Sequence, residues 1–144
     1  MAESLIVGID PGRYGHGVVV FGPDDEEAVR ERVANEAAPI EALVDRVVEL
    51  AGGPGLALWV IEADGGDGAV LIGELLARDE LVATLTPTEV AVRRKGRRQV
   101  HKSDLIDAEL CARIGREQQA TLRRLLAVPR WSPRSACWRG TRTA

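Results

Sequence analysis

The chain has 144 residues, enough for one globular domain with a buried core, and 45% of them are apolar. No apolar run is long enough to cross a bilayer and no basic secretory segment opens the chain, so we expect a cytoplasmic protein without a membrane partner. The two cysteines match no metal-binding or disulfide pattern, which favours a reducing compartment.

Charge is distributed unevenly along the sequence, although the formal net charge is only −3. Residues 1–92 contain 5 Lys and Arg against 18 Asp and Glu, whereas residues 93–144 contain 14 against 4. A strongly basic half is typical of a protein that binds a polyanion, and nucleic acid is the partner it favours. The alternative is an acidic face that packs on a basic face.

The chain begins with a predicted β-hairpin. Residues 4–10 form an almost continuous apolar run that ends at Asp10, as expected of a buried strand. A Pro-Gly turn follows, and residues 15–21 resume the β pattern, which predicts an antiparallel partner. Residues 28–34 are interpreted as a third, polar edge strand or as irregular chain.

Helices and strands then alternate. Residues 39–50 have an apolar period near 3.6, which predicts an amphipathic helix, and the glycines at 52, 53 and 55 end it. A second buried strand at residues 56–62 ends at Glu62, again in a carboxylate. A helix at about 69–78, a strand at 81–85 and a helical segment at 87–94 are predicted next.

A basic segment follows over residues 93–102. It has no apolar period, so a solvated loop is the simplest interpretation, but its density of cations beside acidic residues favours contact with a phosphate backbone. No aromatic residue interrupts it, so base stacking there is not predicted. The candidate nucleic-acid ligands are Arg93, Arg94, Lys95, Arg97, Arg98 and Lys102.

Two aspartates come directly after the basic segment. Asp104 and Asp107 are three residues apart, so on a helix they would share a face and repel each other unless a cation lay between them. The simpler interpretation is that Ser103 or Asp104 caps the helix N-terminus. The apolar residues between 105 and 128 predict one long helix, or two that are broken near Gly115.

The last residues, 129–144, have no periodicity. We therefore predict a domain over residues 1–128 and a disordered tail, or a tail translated out of its proper reading frame, over residues 129–144.

Topology brings the predicted carboxylates together. A central strand that ends in Asp10, a parallel neighbour that ends in Glu62 and a late helix with Asp104 and Asp107 would place four acids at one sheet edge. Hard oxygen ligands select Mg²⁺ or Mn²⁺, and two such ions roughly 3.5–4 Å apart can promote in-line displacement at a phosphodiester.

Three short segments carry a family resemblance. Gly8-Ile9-Asp10-Pro11-Gly12-Arg13, Ile61-Glu62-Ala63 and Lys102-Ser103-Asp104-Leu105-Ile106-Asp107-Ala108 together resemble the signature of the DEDD transposases, the insertion sequence 110 family. The match extends over roughly residues 4–115. It implies an α/β fold of the ribonuclease H-like (RuvC-like) type, a mixed sheet with flanking helices.

The same resemblance implies a function and its residues. Asp10, Glu62, Asp104 and Asp107 are implied as a catalytic tetrad that binds Mg²⁺ or Mn²⁺. Such transposases act on DNA as homo-oligomers, dimers or tetramers in the full-length form, with a structured guide RNA, and use a nucleophilic serine in a second, C-terminal domain. We expect the chain to be truncated before that domain, and no serine of this chain is assigned the role.

Three alternatives stay open. One is a stand-alone RuvC-like Holliday-junction endonuclease that uses water as the nucleophile. Another is a catalytically inert, nucleic-acid-binding remnant of a mobile element. The residues Gly8-Ile9-Asp10-Pro11-Gly12 also resemble the first phosphate loop of the sugar-kinase and actin-like superfamily, but no second glycine-rich nucleotide loop follows.

Overall fold

A computed structural model describes residues 5–63, 66–95 and 105–125 of the chain. Its strands are β1 (Leu5–Asp10), β2 (Gly15–Phe21), β3 (Glu27–Ala34), β4 (Ala57–Glu62), β5 (Leu81–Leu85) and β6 (Arg124–Leu125). Its helices are α1 (Ala37–Ala51), α2 (Ala69–Ala77), α3 (Pro87–Lys95) and α4 (Ile106–Gln118).

The six strands form one mixed sheet in the order β3-β2-β1-β4-β5-β6. β1, β2 and β3 are antiparallel neighbours, as expected of strands joined by short turns. β4 and β5 run parallel to β1, because a helix crosses over the sheet between each pair, and β6 returns antiparallel to β5. β1 and β4 therefore lie side by side at the centre.

Helices cover both faces of the sheet. Alternate residues of the central strands, among them Val7, Trp59 and Ile61, pack with the apolar sides of α1 and α2. Ile6, Leu58 and Val60 point to the other face and pack with α3 and α4. Because both faces are covered, β1 and β4 are apolar along almost their whole length, as the sequence indicated.

Most of the predicted elements are confirmed. The structure contains the predicted hairpin, the two strands that end at Asp10 and Glu62, the predicted helices and the strand at Leu81–Leu85. Residues 28–34, interpreted as an edge strand or as irregular chain, belong to the edge strand β3. α1 ends where predicted, since Gly52 adopts a left-handed conformation with φ of 92° and its N–H bonds to the carbonyls of Val48 and Glu49.

For residues 105–128, the alternative of two helices broken near Gly115 was wrong, and the single helix is shorter than predicted. α4 passes through Gly115 without a break. This glycine lies where the helix packs against Val60 of β4, and a Cβ atom would collide with that side chain. The helix then ends at Gln118, and Leu125 belongs to β6, where it pairs with Val82. The apolar spacing does not distinguish these outcomes, because leucines three or four residues apart also occur in turns and short strands.

The helical segment predicted over residues 87–94 is confirmed as α3, whose last turn contains Arg93, Arg94 and Lys95, so the loop interpretation of the basic segment was wrong for these first residues. Cations are favourable there because the carbonyl end of a helix carries partial negative charge. Across the described ranges, no helix is both long and apolar enough to cross a membrane.

Candidate metal centre

The two central strands carry Asp10 and Glu62 to the same edge of the sheet. In the parallel register Ile9 is paired with Ile61, so the residues that follow them, Asp10 and Glu62, lie beside each other at the strand ends. Alternation along β1 and β4 places both on the face that α4 covers, two residues beyond Gly8 and Val60. The strand pairing alone therefore brings two carboxylates together.

A third carboxylate comes from α4. This helix crosses β1 so closely that a Cβ atom on Gly8 would lie 2.6 Å from the amide nitrogen of Ala112 and would also collide with the carbonyl of Ala108. Asp107 immediately precedes Ala108, and the close crossing carries it to the strand ends. Carboxylate oxygens of Asp10, Glu62 and Asp107 all lie within 4.8 Å of one another.

The three acids differ in their access to solvent. Glu62 is buried, with 9% of its surface exposed, whereas Asp10 and Asp107 are half-buried. Two carboxylates at this distance repel each other by about 3 kcal/mol at an effective dielectric constant near 20. Hard oxygen donors held this close fit a divalent cation such as Mg²⁺ or Mn²⁺.

Two groups interact with the negative charge of the three acids, the thiol of Cys111 and the guanidinium of Arg94. Burial raises the pKa of the Cys111 thiol, and the nearby carboxylates of Glu62, Asp10 and Asp107 raise it further. Cys111 is therefore a protonated, buried thiol beneath the acids. On the solvent side, the guanidinium of Arg94 lies 3.2 Å from a carboxylate oxygen of Asp107.

The turn after Asp10 is held by a buried histidine and an asparagine. Nδ1 of His16 accepts the N–H of Gly12 at 3.2 Å, so the ring proton is on Nε2, which donates to the side-chain oxygen of Asn35 at 3.0 Å. The amide of Asn35 donates in turn to the carbonyls of Arg13 and Asp67, at 3.1 and 3.2 Å. These bonds tie the turn after Asp10 to the segment that follows Glu62.

The sequence analysis did not identify His16 or Asn35 as residues that hold this turn. Asn35 directly follows the polar edge strand β3, so its polarity does not distinguish it from neighbouring residues in the sequence. A histidine inside an apolar strand was the available signal, because a buried ring nitrogen requires a hydrogen-bond partner. Tyr14 is 80% exposed beside this turn, with Arg13 over its ring.

Not every predicted site residue falls in the described part of the chain. Asp104, the fourth acid, lies outside the described residues, as do Arg97, Arg98 and Lys102. Leu105 occupies the N-cap position of α4 without a side-chain hydrogen bond, and Ser103 and Asp104, interpreted as possible caps, lie outside the described residues.

The family is shown by comparison with known proteins. The sequence profile of the DEDD transposases of the IS110 type, described as Transposase, matches residues 7–130. The chain belongs to this transposase family. The predicted resemblance is thereby confirmed, and the matched region contains all four predicted acids.

A curated relative of this transposase chain comes from an insertion element. It is the IS900 uncharacterized 42 kDa protein of Mycobacterium paratuberculosis, which is 30% identical over 112 residues, or 78% of this chain. The matched region is 28% of the relative's length, so the transposase chain spans well under half of the relative it matches.

Solved structures identify the fold. Thermus thermophilus RuvC, alone and in complex with a Holliday junction substrate, matches with a TM-score of 0.57 and 17% identity. The match covers 84% of the transposase chain and 99% of RuvC. The predicted ribonuclease H-like, RuvC-like fold is confirmed.

Proposed function

We propose that this chain is the metal-binding catalytic domain of an insertion-element transposase that breaks and joins DNA phosphodiesters. The observation that supports the proposal best is the convergence of three carboxylates from β1, β4 and α4, within 4.8 Å, in a member of a transposase family. Asp10, Glu62 and Asp107 would hold Mg²⁺ or Mn²⁺, and Asp104 is proposed as the fourth ligand.

The proposed role of the protein is to position the ligands and leave the site accessible. When bound, the cation supplies Lewis-acid activation of the attacking oxygen and neutralises charge on the leaving oxygen. Two rigid strands fix Asp10 and Glu62, and a helix packed tightly on them fixes Asp107, so little reorganisation is needed. The half-buried positions of Asp10 and Asp107 keep the site open to a polynucleotide.

DNA binding is assigned to the basic residues from Arg93 to Lys102. Those in the last turn of α3 lie on the same side of the sheet as the acids, since α3 packs against α4. Replacement of Arg97 and Arg98 by glutamine is expected to weaken binding to any DNA sequence. The slope of the logarithm of the binding constant against the logarithm of salt concentration should become shallower by about one unit for each phosphate that the protein no longer neutralises.

Calorimetric titration with Mg²⁺ or Mn²⁺ tests the metal centre. We expect the wild-type chain to bind, and Asp10→Asn and Asp107→Asn to lose about tenfold or more in affinity, because each removes an anionic ligand. Glu41→Gln, on α1 at the opposite face of the sheet, is the matched control and should titrate like the wild type. Equal titration by all four proteins would refute the metal centre and favour an inert, DNA-binding remnant.

A second candidate is a stand-alone junction endonuclease. The coverage of 99% of RuvC favours it, since a whole nuclease fold of that length lies within this chain. Manganese-dependent cleavage of a four-way junction by the chain alone, abolished in Asp10→Asn, would support this candidate. Dependence on a C-terminal domain, a structured guide RNA or homo-oligomer formation would support the transposase.

A further inference from the structure

We propose that Arg94 is a counter-charge built into the acidic cluster, which competes with the divalent cation for Asp107 and contacts a DNA phosphate once that cation is bound. This inference rests on the proposed function, because it assumes that Asp10, Glu62 and Asp107 hold a metal ion.

The geometry points to Arg94 because of where its guanidinium lies. Nη1 donates to Oδ2 of Asp107 at 3.2 Å, across the contact between α3 and α4. The side chain of Asp107 is 20% exposed and that of Arg94 is 49% exposed. The guanidinium therefore contacts the acid from the solvent side, the side from which a hydrated ion or a DNA strand must approach.

Competition follows from the charges. Asp107 contributes one of the oxygens that lie within 4.8 Å of the other two acids, and the same carboxylate accepts a hydrogen bond from Arg94. The guanidinium is a cation that lies 3.2 Å from this carboxylate. A divalent ion that uses Asp107 must share it with Arg94 or displace the guanidinium.

Displacement would release a group suited to the substrate. The planar fork of arginine donates two parallel hydrogen bonds to a phosphate, and its charge is needed at the site where a DNA backbone must meet three carboxylates. Metal binding and DNA contact are therefore coupled through one side chain. The metal-free protein keeps Arg94 on Asp107, and the metal-bound protein makes it available to phosphate.

Arg93 provides a matched control from the same helix turn. Its guanidinium lies 2.8 Å from Glu117, which is ten residues beyond Asp107 on α4 and hence about 15 Å further along that helix. Arg93 and Arg94 thus have the same charge, neighbouring positions and the same kind of interhelical ion pair. They differ in whether the acid they contact belongs to the cluster.

The experiment is a calorimetric titration of the full chain with Mn²⁺ alone. Arg94→Gln should bind the ion roughly twofold to fivefold more tightly than the wild type, the range expected when a partly exposed ion pair no longer competes. Arg94→Lys, which keeps the charge, should stay near the wild type, and Arg93→Gln should be unchanged.

DNA binding provides the second readout, measured on a short duplex by fluorescence anisotropy. With Mn²⁺ present, Arg94→Gln should bind the duplex more weakly than the wild type, and with EDTA that difference should shrink, because Asp107 then holds Arg94. Arg93→Gln should show no such dependence on the metal.

Three results would overturn the inference. Unchanged or weaker Mn²⁺ binding by Arg94→Gln would mean that Arg94 only orients Asp107. An equal loss of DNA affinity with and without Mn²⁺ would remove the coupling. Failure of the wild type itself to bind Mn²⁺ would overturn the proposed metal centre together with this inference, whereas the first two results leave that centre standing.

Discussion

Glu109 is a buried carboxylate that joins α4 to the edge strand β3, two residues after Asp107. It accepts hydrogen bonds from Arg30 of β3 and from Nε of Arg113, the latter at 2.9 Å. Burial raises the pKa of Glu109, but the hydrogen bonds and charges of Arg113 and Arg30 lower it by more, and the net shift is downward. The ionised form is therefore the stabilising one in the folded protein.

The sign of this shift fixes a pH dependence. A group whose pKa is lowered by folding stabilises the protein fully when the pH is above its ordinary pKa, which is 4.5 for a glutamate. The contribution disappears as the pH falls through the lowered pKa of the folded state. We expect Glu109→Gln to be less stable than the wild type by about 1–2 kcal/mol at pH 7. Urea unfolding from pH 7 to pH 3 should show the difference shrinking below pH 4.5. A difference that is independent of pH would contradict an ionic role for Glu109.

The close packing of α4 on β1 near the proposed metal centre depends on Gly8. A methyl group there would meet the carbonyl of Ala108 and the nitrogen of Ala112, both backbone atoms that cannot move without moving α4. Gly8→Ala should therefore lift the N-terminal part of α4 from β1 and carry Asp107 away from Asp10. We expect a loss of about 1–3 kcal/mol in unfolding free energy and weaker Mn²⁺ binding.

Gly73 supplies the control for that substitution. It lies in the interior of α2, where an added Cβ has no neighbour within 4 Å. Gly73→Ala should stabilise the chain by up to about 1 kcal/mol, because alanine favours the helix, and should leave Mn²⁺ binding unchanged. Equal stability and equal metal affinity for Gly8→Ala and Gly73→Ala, by urea unfolding and calorimetry, would show that close packing at Gly8 does not position Asp107.

Elements with one strong local pattern were predictable from the sequence. The continuous apolar runs before Asp10 and Glu62 predicted two central strands, and their final acids predicted a shared sheet edge, because parallel strands end together. α4 was less predictable. A glycine in a helical pattern often marks a helix break, whereas Gly115 lies inside α4 because the side chain of Val60 opposite it leaves no room for a Cβ atom.

Contacts between distant segments were not predictable in the same way. The bonds from His16 and Asn35 to the turns around the site, and the ion pair of Arg94 with Asp107, depend on side chains that meet only after the sheet and helices have packed. Charge counts showed that the later part of the chain is basic. They did not show that one of its first arginines already contacts an acid of the cluster.

At the scale of the whole molecule, β6 closes one edge of the sheet. Leu125 pairs with Val82 of β5 and packs against the core on the α1 and α2 side. The transposase family match ends five residues later, at residue 130. We therefore propose that the folding unit ends near residue 128, and that residues 129–144 are not needed for its stability.

Two truncations test that boundary. A chain that ends at Val128 keeps β6 and should unfold within about 2 °C of the full chain, with the same Mn²⁺ affinity. A chain that ends at Thr121 lacks Leu122 and β6 and leaves the edge of β5 exposed. Its free energy of unfolding should be lower by about 1–3 kcal/mol, a typical contribution of burying a leucine side chain. For a domain of this size, thermal unfolding should then occur roughly 3–10 °C lower. If the chain that ends at Val128 were as unstable as the shorter one, residues after 128 would contribute to the folded domain, and the boundary would lie later than residue 128.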